Sequence, residues 1–211
     1  MRNSLQNTLL KTIYNVKNQT GLMEIIKNNE FVNELSEGQE AIVILDQSSF
    51  YGESGGQVGD QGNLSNKTSQ FKVSDTQKQA SSAFEHFGIL DSGSLKVGDK
   101  VNAIVDIDRR KKIMANHSAT HLLHESLRLI LGDKVNQKGS LVEPDKLRFD
   151  FSHDEAVSKS NLDQVEALVN KQILGNSEVI TEETDIESAK KKGAMALFGE
   201  KYGENVRVLS M

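Results

Sequence analysis

Three histidines in one predicted helix are the residues of this chain best suited to chemistry. His117 and His121 are four residues apart, and His124 follows three residues later. At about 100° per residue, the three side chains fall within an arc of roughly 60°. Two imidazoles at positions i and i+4 project from adjacent turns and can converge on one divalent metal ion. The pattern also fits surface histidines or a hydrogen-bonded cluster. Because Ser118 follows His117, the metalloprotease motif His-Glu-x-x-His is excluded.

The apolar side chains of the same helix occupy a separate arc on the opposite side. They are Ala119, Leu122, Leu123, Leu127 and Ile130. We therefore expect the leucines to face the core and the histidines to face away from it.

A glycine-rich stretch follows a predicted buried strand, with five glycines between Gly52 and Gly62. It lacks Gly-Lys-Ser/Thr and no helix pattern follows, so it is neither a Walker loop nor a dinucleotide fingerprint. Two interpretations stay open: a tight turn with bulges at a barrel corner, or a backbone that approaches a ligand while Gln57 orients it. Glu53 and Asp60 could act as ligands or bases, although carboxylates in such a turn are more often solvated.

Three polar or basic segments offer contacts to phosphate. Residues 137–140 form a polar loop that presents Lys138. Residues 109–112, Arg-Arg-Lys-Lys, lie at a helix N-terminus, where cations are unfavourable, and this placement favours a phosphate partner. The three lysines at 190–192 end a helix, so they first compensate its dipole, with phosphate contact as the alternative.

The composition limits the classes of function. The 211 residues contain no cysteine and carry a net charge of -5. Disulfides, thiolate nucleophiles and cysteine zinc sites are therefore excluded, and any metal site must use His, Asp or Glu. The charge argues against a generally basic nucleic-acid binder. Because the chain has no apolar run long enough to span a membrane and no signal peptide, we predict a cytoplasmic protein.

Short strands dominate the first half of the chain. Before residue 36, helical spacing of apolar residues predicts short helices. The residues concerned are Leu9, Leu10, Ile13, Leu22, Ile25 and Ile26. Strands are then predicted over 41–45, 71–73, 84–90 and 101–107. Their spacing indicates a small barrel or sandwich over about 36–107.

The hydrophobic period changes after Asp108. A helix is predicted over 109–131, ending at Gly132, and a strand over 147–152 follows the only proline, Pro144.

A second helix is predicted over 162–173, with Ser160 or Asn161 as its N-cap and Gly175 beyond its end.

A capping-box pattern at residues 184–187 predicts a third, short helix that stops at Gly193. A strand over 206–209 completes the pattern. Residues 108–211 are therefore predicted to be α+β, with helices packed on an antiparallel sheet.

Five motifs, in this order and spacing, resemble the editing region of bacterial alanyl-tRNA synthetases. They are FYGESGGQVGD at 50–60, NHSATHLLH at 116–124, QKGSLV at 137–142, LRFDFSH at 147–153 and GAMALFGEKYG at 193–203. The resemblance runs from about residue 38 to the last residue. Freestanding alanyl-tRNA editing proteins and the editing domain of threonyl-tRNA synthetase share the His-x-x-x-His helix and are more distant.

The resemblance implies a fold and an activity. The fold is α+β: an uncertain, partly helical segment over 1–35, a small translation-factor-like β-barrel over 36–107, and an editing domain of the threonyl/alanyl-tRNA synthetase type over 108–211. The activity is hydrolysis of the ester in tRNA(Ala) mischarged with serine or glycine, and the partner is the acceptor end of tRNA(Ala). An editing site is needed in addition to the site that binds alanine, because a pocket for such a small side chain cannot reject serine or glycine by binding alone.

The resemblance also implies site residues. The paired histidines of that family bind zinc, which here means His117 and His121, and the glutamine of the glycine-rich motif, Gln57, lies near the substrate amino acid. The expected mechanism is hydrolysis by a bound water, with Gln57 and backbone N–H groups positioning the carbonyl. His124 is expected to support the ligands or to lie at the surface. The predicted substrate contacts are Gly55, Gly56, Gln57, Lys138 and Ser140.

One departure from the family pattern concerns the zinc site. In the family, two further ligands come from a Cys-Gly-Gly-Thr-His stretch, and the chain ends at Met211, just before that stretch is expected. No aminoacylation core is recognised upstream of residue 38. We therefore expect a synthetase fragment with an incomplete zinc site and weak or absent deacylation. The alternatives are a freestanding editing hydrolase that completes its site with His153 or a carboxylate, and a non-catalytic tRNA-binding module.

Overall fold

The computed structural model describes residues 18–79, 83–191 and 204–210. These residues form two compact units. The first runs to Met114 and includes Glu143–Asp145, and the second comprises Ala115–Val142 and the residues from Lys146 onward. Strands predominate over helices, so the predicted mixed α+β class is confirmed. No helix among the described residues is long and apolar enough to cross a membrane.

Nine strands build the first unit. They are β1 (Asn18–Lys27), β2 (Glu30–Val32), β3 (Glu34–Ser36), β4 (Glu40–Leu45), β5 (Gly62–Ser65), β6 (Gln70–Lys78), β7 (Phe84–Ser92), β8 (Ser94–Lys96) and β9 (Lys100–Val105). The main sheet has the order β2-β1-β4-β7-β6-β5-β9, and β1 also pairs with β9. Six antiparallel strands therefore close into a ring, with β2 attached to β1, so the ring itself has no open edge. Its core consists of aliphatic side chains with Phe50 and Phe71, of which Phe71 is fully buried.

The helical interpretation of Leu22, Ile25 and Ile26 is wrong, because all three lie in β1. Pairing of β1 with β4 slips between Leu22 and Glu24, which marks a β-bulge. The bulge places Leu22 and Ile25 both in the core, with two exposed residues between them. A spacing of three therefore imitates a helix inside a strand. The segment before residue 36 contributes β1 to the ring, and Leu9, Leu10 and Ile13 lie outside the described residues.

The predicted long helix is confirmed as α1 (Ile107–Leu131). Asp106 begins it, since its carboxylate accepts from the Arg109 N–H at 2.9 Å. Gly132 ends it with φ 100°, a left-handed conformation that favours glycine. The strand predicted over 101–107 ends at Val105, one residue before this cap.

Two antiparallel strand pairs and two helices accompany the C-terminal part of α1 in the second unit. They are β10 (Gln137–Val142) with β11 (Leu147–Phe151), α2 (Lys159–Gly175), β12 (Ile180–Asp185) with β13 (Asn205–Ser210), and α3 (Ile186–Lys191). Leu127, Val135 and Val165 form the buried core here, with Phe149 and Phe151 packed against it. The predicted strands over 147–152 and 206–209 are confirmed as β11, which ends one residue earlier at Phe151, and β13. The polar loop predicted at 137–140 is wrong, because cross-strand pairing with β11 makes it strand β10.

The helix caps differ from the predicted ones. Ser158, and neither Ser160 nor Asn161, caps α2: its side chain accepts from the Asn161 N–H at 3.1 Å. Gly175 is the last residue of α2, and Asn176 adopts the left-handed conformation in its place, which asparagine tolerates.

The capping box predicted at 184–187 is also displaced. Asp185 caps α3 by accepting from the Ser188 N–H at 2.8 Å. Because Asp185 lies directly after the predicted Thr184, the start of the helix moves by one residue. Gly193, the predicted end of this helix, lies outside the described residues.

Replacement of Ser158 by alanine tests the observed cap. The variant should lose about 1 kcal/mol of stability, because one N–H of the first turn loses its partner. Ser160→Ala, two residues away and exposed, is the matched control and should change stability by less than about 0.5 kcal/mol. Urea denaturation measures both, and equal effects would contradict the assignment.

Candidate functional site

His117 and His121 stack on one face of α1. Their ring centroids are 5.1 Å apart and the ring planes differ by 16°. This parallel arrangement follows from the i, i+4 spacing, which places the two side chains on successive turns. The pair therefore presents two imidazoles side by side.

The surroundings of His121 favour the neutral imidazole. Burial lowers its pKa, and the neighbouring His117 and His124 lower it further because a second positive charge would be repelled. A metal ligand must be the neutral form of histidine. The lowered pKa of His121 therefore favours the form of this side chain that binds a metal.

His124 is buried, in contrast to the expectation that the histidines turn away from the core. Only 6% of it is exposed, and its ring lies 5.0 Å from that of Phe149. The buried residues of α1 are Ile113, Thr120, His124, Ser126 and Leu127, so the histidine arc adjoins the buried stripe. The periodicity argument missed this because it treats histidine as polar, whereas an imidazole can pack on an aromatic strand.

The ring nitrogens of His124 are unusual for a buried group. Among the described residues, neither nitrogen has a hydrogen-bond partner of good geometry. Burial lowers the pKa of His124, which the Val135 backbone partly opposes. His124 therefore remains neutral and supports the packing beside His121, which agrees with a supporting position and not with a surface one.

A third protein ligand is not found in the described part of the chain, where no group of three His, Asp or Glu side chains is arranged around a metal position. His153 is exposed in the loop after β11. His117 and His121 fit a zinc ion as two of its four expected ligands, since both are imidazoles on one face and His121 is held neutral.

The glycine-rich stretch contains a tight turn around Gly55 and Gly56. Both have positive φ, 58° and 82°, which glycine adopts without strain. The N–H of Gln57 donates to Ser54 O at 2.9 Å, and the N–H of Ser54 donates back to Gln57 O at 3.2 Å. Gln57 is 8% exposed. The turn interpretation therefore describes this segment, and the contact of Gln57 with a ligand stays a prediction.

Asp60, near the end of the stretch, is buried, whereas the sequence favoured a solvated carboxylate. It is 1% exposed, its carboxylate accepts from the Tyr51 N–H at 2.6 Å, and it forms an ion pair with Arg110. Glu53, by contrast, is exposed and accepts from the Gln77 side chain.

The expected role of the basic run 109–112 in phosphate binding is wrong for its two arginines. Arg109 donates to Gly59 O at 2.8 Å, and Arg110 donates to Ser49 O at 2.8 Å as well as to Asp60. Cations at a helix N-terminus need an anion or a carbonyl as a partner. Here the partners belong to the same chain: the Asp60 carboxylate and two backbone carbonyls. Lys111 and Lys112 are exposed and pair with Asp108 and Asp145.

Sequence reasoning missed the role of His86. It is fully buried, its Nδ1 lies 2.9 Å from Val43 O and its Nε2 lies 2.7 Å from Ser48 Oγ. Because a carbonyl can only accept, Nδ1 carries the hydrogen and Nε2 accepts from Ser48. Burial lowers the pKa of His86 to about 4. This serine–histidine pair is therefore structural: it supports the residues that lead into the glycine-rich stretch, since Ser48 also accepts from the Phe50 N–H.

Lys138 and Ser140 lie on β10. Pairing slips between Gln137 and Gly139, so Lys138 is the extra residue of a bulge and is exposed. Ser140 is directly opposite Phe149, and opposite residues share a face of the sheet. Ser140 therefore lies on the face that packs against His124. Gly55, Gly56 and Gln57 belong to the first unit.

The lysines at 190–192 were predicted first to compensate the helix dipole. Lys190 and Lys191 are in the last turn of α3, as that prediction requires, and Lys190 pairs with Glu187. Lys192 lies outside the described residues.

Comparison with known proteins identifies the family. The family model of class II (A) tRNA synthetases matches residues 2–109. The match therefore begins well upstream of residue 38, where the resemblance was predicted to start. The chain is 56% identical over 196 residues to an alanine–tRNA ligase of Ruthia magnifica, and 57% identical over 196 residues to one of Vesicomyosocius okutanii. It is 54% identical over 193 residues to one of Pseudomonas entomophila.

These matches cover 93%, 93% and 92% of the chain. They cover 23%, 23% and 22% of the relatives, so the chain spans about a quarter of their length. The matched length and the identity leave no doubt about descent. The chain belongs to the class II (A) tRNA synthetase family, and its relatives are alanine–tRNA ligases.

Proposed function

We propose that this chain carries the editing region of an alanine–tRNA ligase, a region that hydrolyses the ester of tRNA(Ala) mischarged with serine or glycine. With two of the four expected zinc ligands, the chain alone should hydrolyse this ester weakly or not at all. The closed sheet of the first unit would be the translation-factor-like barrel, and the second unit the editing domain. A tRNA substrate also favours a cytoplasmic protein.

The observation that supports this proposal most strongly is the histidine pair. Two stacked imidazoles, of which His121 is held neutral by burial, are suited to a metal and not to a charged surface patch. They occur in a chain that is more than half identical to alanine–tRNA ligases.

Each site residue has a proposed task. His117 and His121 would hold a zinc ion, which when bound would supply a Lewis acid. The amide of Gln57 would orient the misacylated amino acid, with the N–H groups of the glycine turn directed at the ester carbonyl. Lys138, exposed on its bulge, would pair with a phosphate near the tRNA terminus, and Ser140 would contact the terminal nucleotide.

Alanine at His117 or His121 tests the proposal. Zinc binding should fall by more than about 100-fold, and any hydrolysis of Ser-tRNA(Ala) by the wild-type chain should fall with it, since loss of even an outer partner of a ligand costs 10–100-fold. His153→Ala is the matched control, because His153 is exposed and belongs to no ligand group in the described chain, and it should behave like the wild type.

The same assay separates the alternatives. Salt-sensitive tRNA binding without hydrolysis would favour a non-catalytic binding module. Hydrolysis that depends on His153 would favour a freestanding enzyme. Hydrolysis that survives alanine at both His117 and His121 would contradict the proposed site.

A further inference from the structure

The conformation of the stretch that carries Gln57 depends on an ion pair in the first unit. Residues 46–61 connect β4, which ends at Leu45, to β5, which begins at Gly62, and belong to no strand of the sheet. We propose that Arg110 is a positioning residue, which holds this stretch through Asp60 in the conformation that presents Gln57. The inference rests on the proposed function, in which Gln57 contacts the substrate.

Tyr51 and Asp60 form the neck of a loop that contains Gln57. The Asp60 N–H donates to Tyr51 O at 2.9 Å, and the Tyr51 N–H donates to the Asp60 carboxylate at 2.6 Å. Asp60 therefore joins the two ends of the loop, through both its backbone N–H and its carboxylate. Backbone hydrogen bonds join Ser54 to Gln57 within the loop and Glu53 of the loop to Thr76 of β6.

Arg110, near the start of α1, binds the neck of the loop. Its guanidinium pairs with the Asp60 carboxylate and donates to Ser49 O at 2.8 Å. One side chain therefore bridges the residues before and after the loop. The side chains of Arg110 and Asp60 are 17% and 1% exposed, so water screens their attraction weakly. Both contacts come from one nitrogen, Nη2, whose two hydrogens can bind the Asp60 carboxylate and Ser49 O together.

Neighbouring contacts hold the same end of the loop. Arg109 donates to Gly59 O at 2.8 Å, and the Thr76 hydroxyl donates to Asp60 O at 2.9 Å. These two bonds hold the backbone at Gly59 and Asp60. The Asp60 carboxylate is bound separately, by the Tyr51 N–H and the Arg110 guanidinium. Loss of Arg110 would leave a buried carboxylate without its counter-charge and would loosen the neck.

The test compares Arg110→Gln with Lys111→Gln, the adjacent residue, whose side chain is 53% exposed. Two measurements are made on the whole chain: amide hydrogen exchange of residues 51–60, and kcat and KM for Ser-tRNA(Ala) hydrolysis. Arg110→Gln should accelerate exchange of the Gln57 N–H and lower kcat on the order of 100-fold, because small misplacement of a positioning group has effects of this size. Lys111→Gln should change neither.

Double variants distinguish positioning from general stability. If Arg110 acts through Gln57, Gln57→Ala with Arg110→Gln should be no slower than Gln57→Ala alone. Arg110→Lys should recover part of the loss, and Asp60→Asn, which retains an acceptor for Tyr51, covers the case in which Arg110→Gln fails to fold. Multiplied rate losses in the double variant would overturn the inference.

Failure of the proposed function gives a different result. If the wild-type chain hydrolyses no Ser-tRNA(Ala), the exchange data decide alone. Faster exchange at Gln57 in Arg110→Gln and Asp60→Asn, with the strands of the ring unchanged, supports the positioning role. Unchanged exchange at Gln57 overturns it.

Discussion

Replacement of Gly59 by alanine should destabilise the first unit by roughly 3 kcal/mol, near the upper end of overpacking effects. A Cβ at this position would lie 2.1 Å from Thr76 O and 2.8 Å from Thr76 N. Both are backbone atoms of β6, which pairs with β5 and β7, so they cannot move without opening the ring. The substitution would also displace Asp60, and with it the neck of the glycine-rich loop.

Urea denaturation followed by far-UV circular dichroism measures this effect, since the chain has no tryptophan. Gly175→Ala is the matched control, because nothing lies within 4 Å of a Cβ there. Alanine at this helical position should be neutral or stabilising by up to about 1 kcal/mol. A Gly59→Ala variant as stable as the wild type would show that the close approach to Thr76 is wrong.

Acidification from pH 6.5 to 4 should remove about 3 kcal/mol of stability through His86. Burial lowers its pKa from 6.5 to about 4 in the folded chain. As the pH falls through this window, the unfolded state binds the proton first and unfolding becomes more favourable. The contribution of His86 is therefore complete above pH 6.5 and is lost as the pH approaches 4.

Comparison of the wild type with His86→Leu isolates this effect. The variant should be less stable at pH 7, because Val43 O and Ser48 lose their partner. Its stability should change less than that of the wild type between pH 6.5 and 4. Burial also lowers the pKa of His121 and His124, so part of the slope remains in the variant.

The control for this experiment is His153→Ala, which removes an exposed histidine and should retain the wild-type slope. Hydrogen bonds from Thr20 and Ser188 lower the carboxyl pKa values of Asp46 and Asp185 from 3.8. Protonation of these two groups therefore affects stability below the range from pH 6.5 to 4. Equal pH dependence of His86→Leu and the wild type would contradict the neutral, buried state of His86.

Elements with a regular local pattern could be predicted from the sequence. The alternation of β11 has the period of a strand, the apolar run of β4 has a strand's length and β-branched residues, and the uninterrupted α1 has the length of a helix. β1 could not be predicted, because its bulge shifts Leu22 and Ile25 to a helical spacing. The cap of α2 was displaced because several residues near residue 158 can cap a helix, and only backbone geometry selects Ser158.

The candidate site divides in the same way. His117 and His121 could be placed together from spacing alone, since a helix of known pitch fixes which side chains are neighbours. The partners of Arg109 and Arg110 could not be predicted. A cation at a helix N-terminus indicates that an anion or carbonyl is needed, but not that Gly59 and Asp60, fifty residues earlier, supply it.

By itself, the sequence determined the order of the motifs, the paired histidines of α1 and the absence of every cysteine-based site, because these depend on residue types and local spacing. Tertiary structure alone decided that β1 closes the ring against β9, that His86 and His124 are buried, and that Arg110 meets Asp60. The physical reason is that burial and ion pairing join residues far apart in the chain, and no local pattern records which distant residue fills a given space.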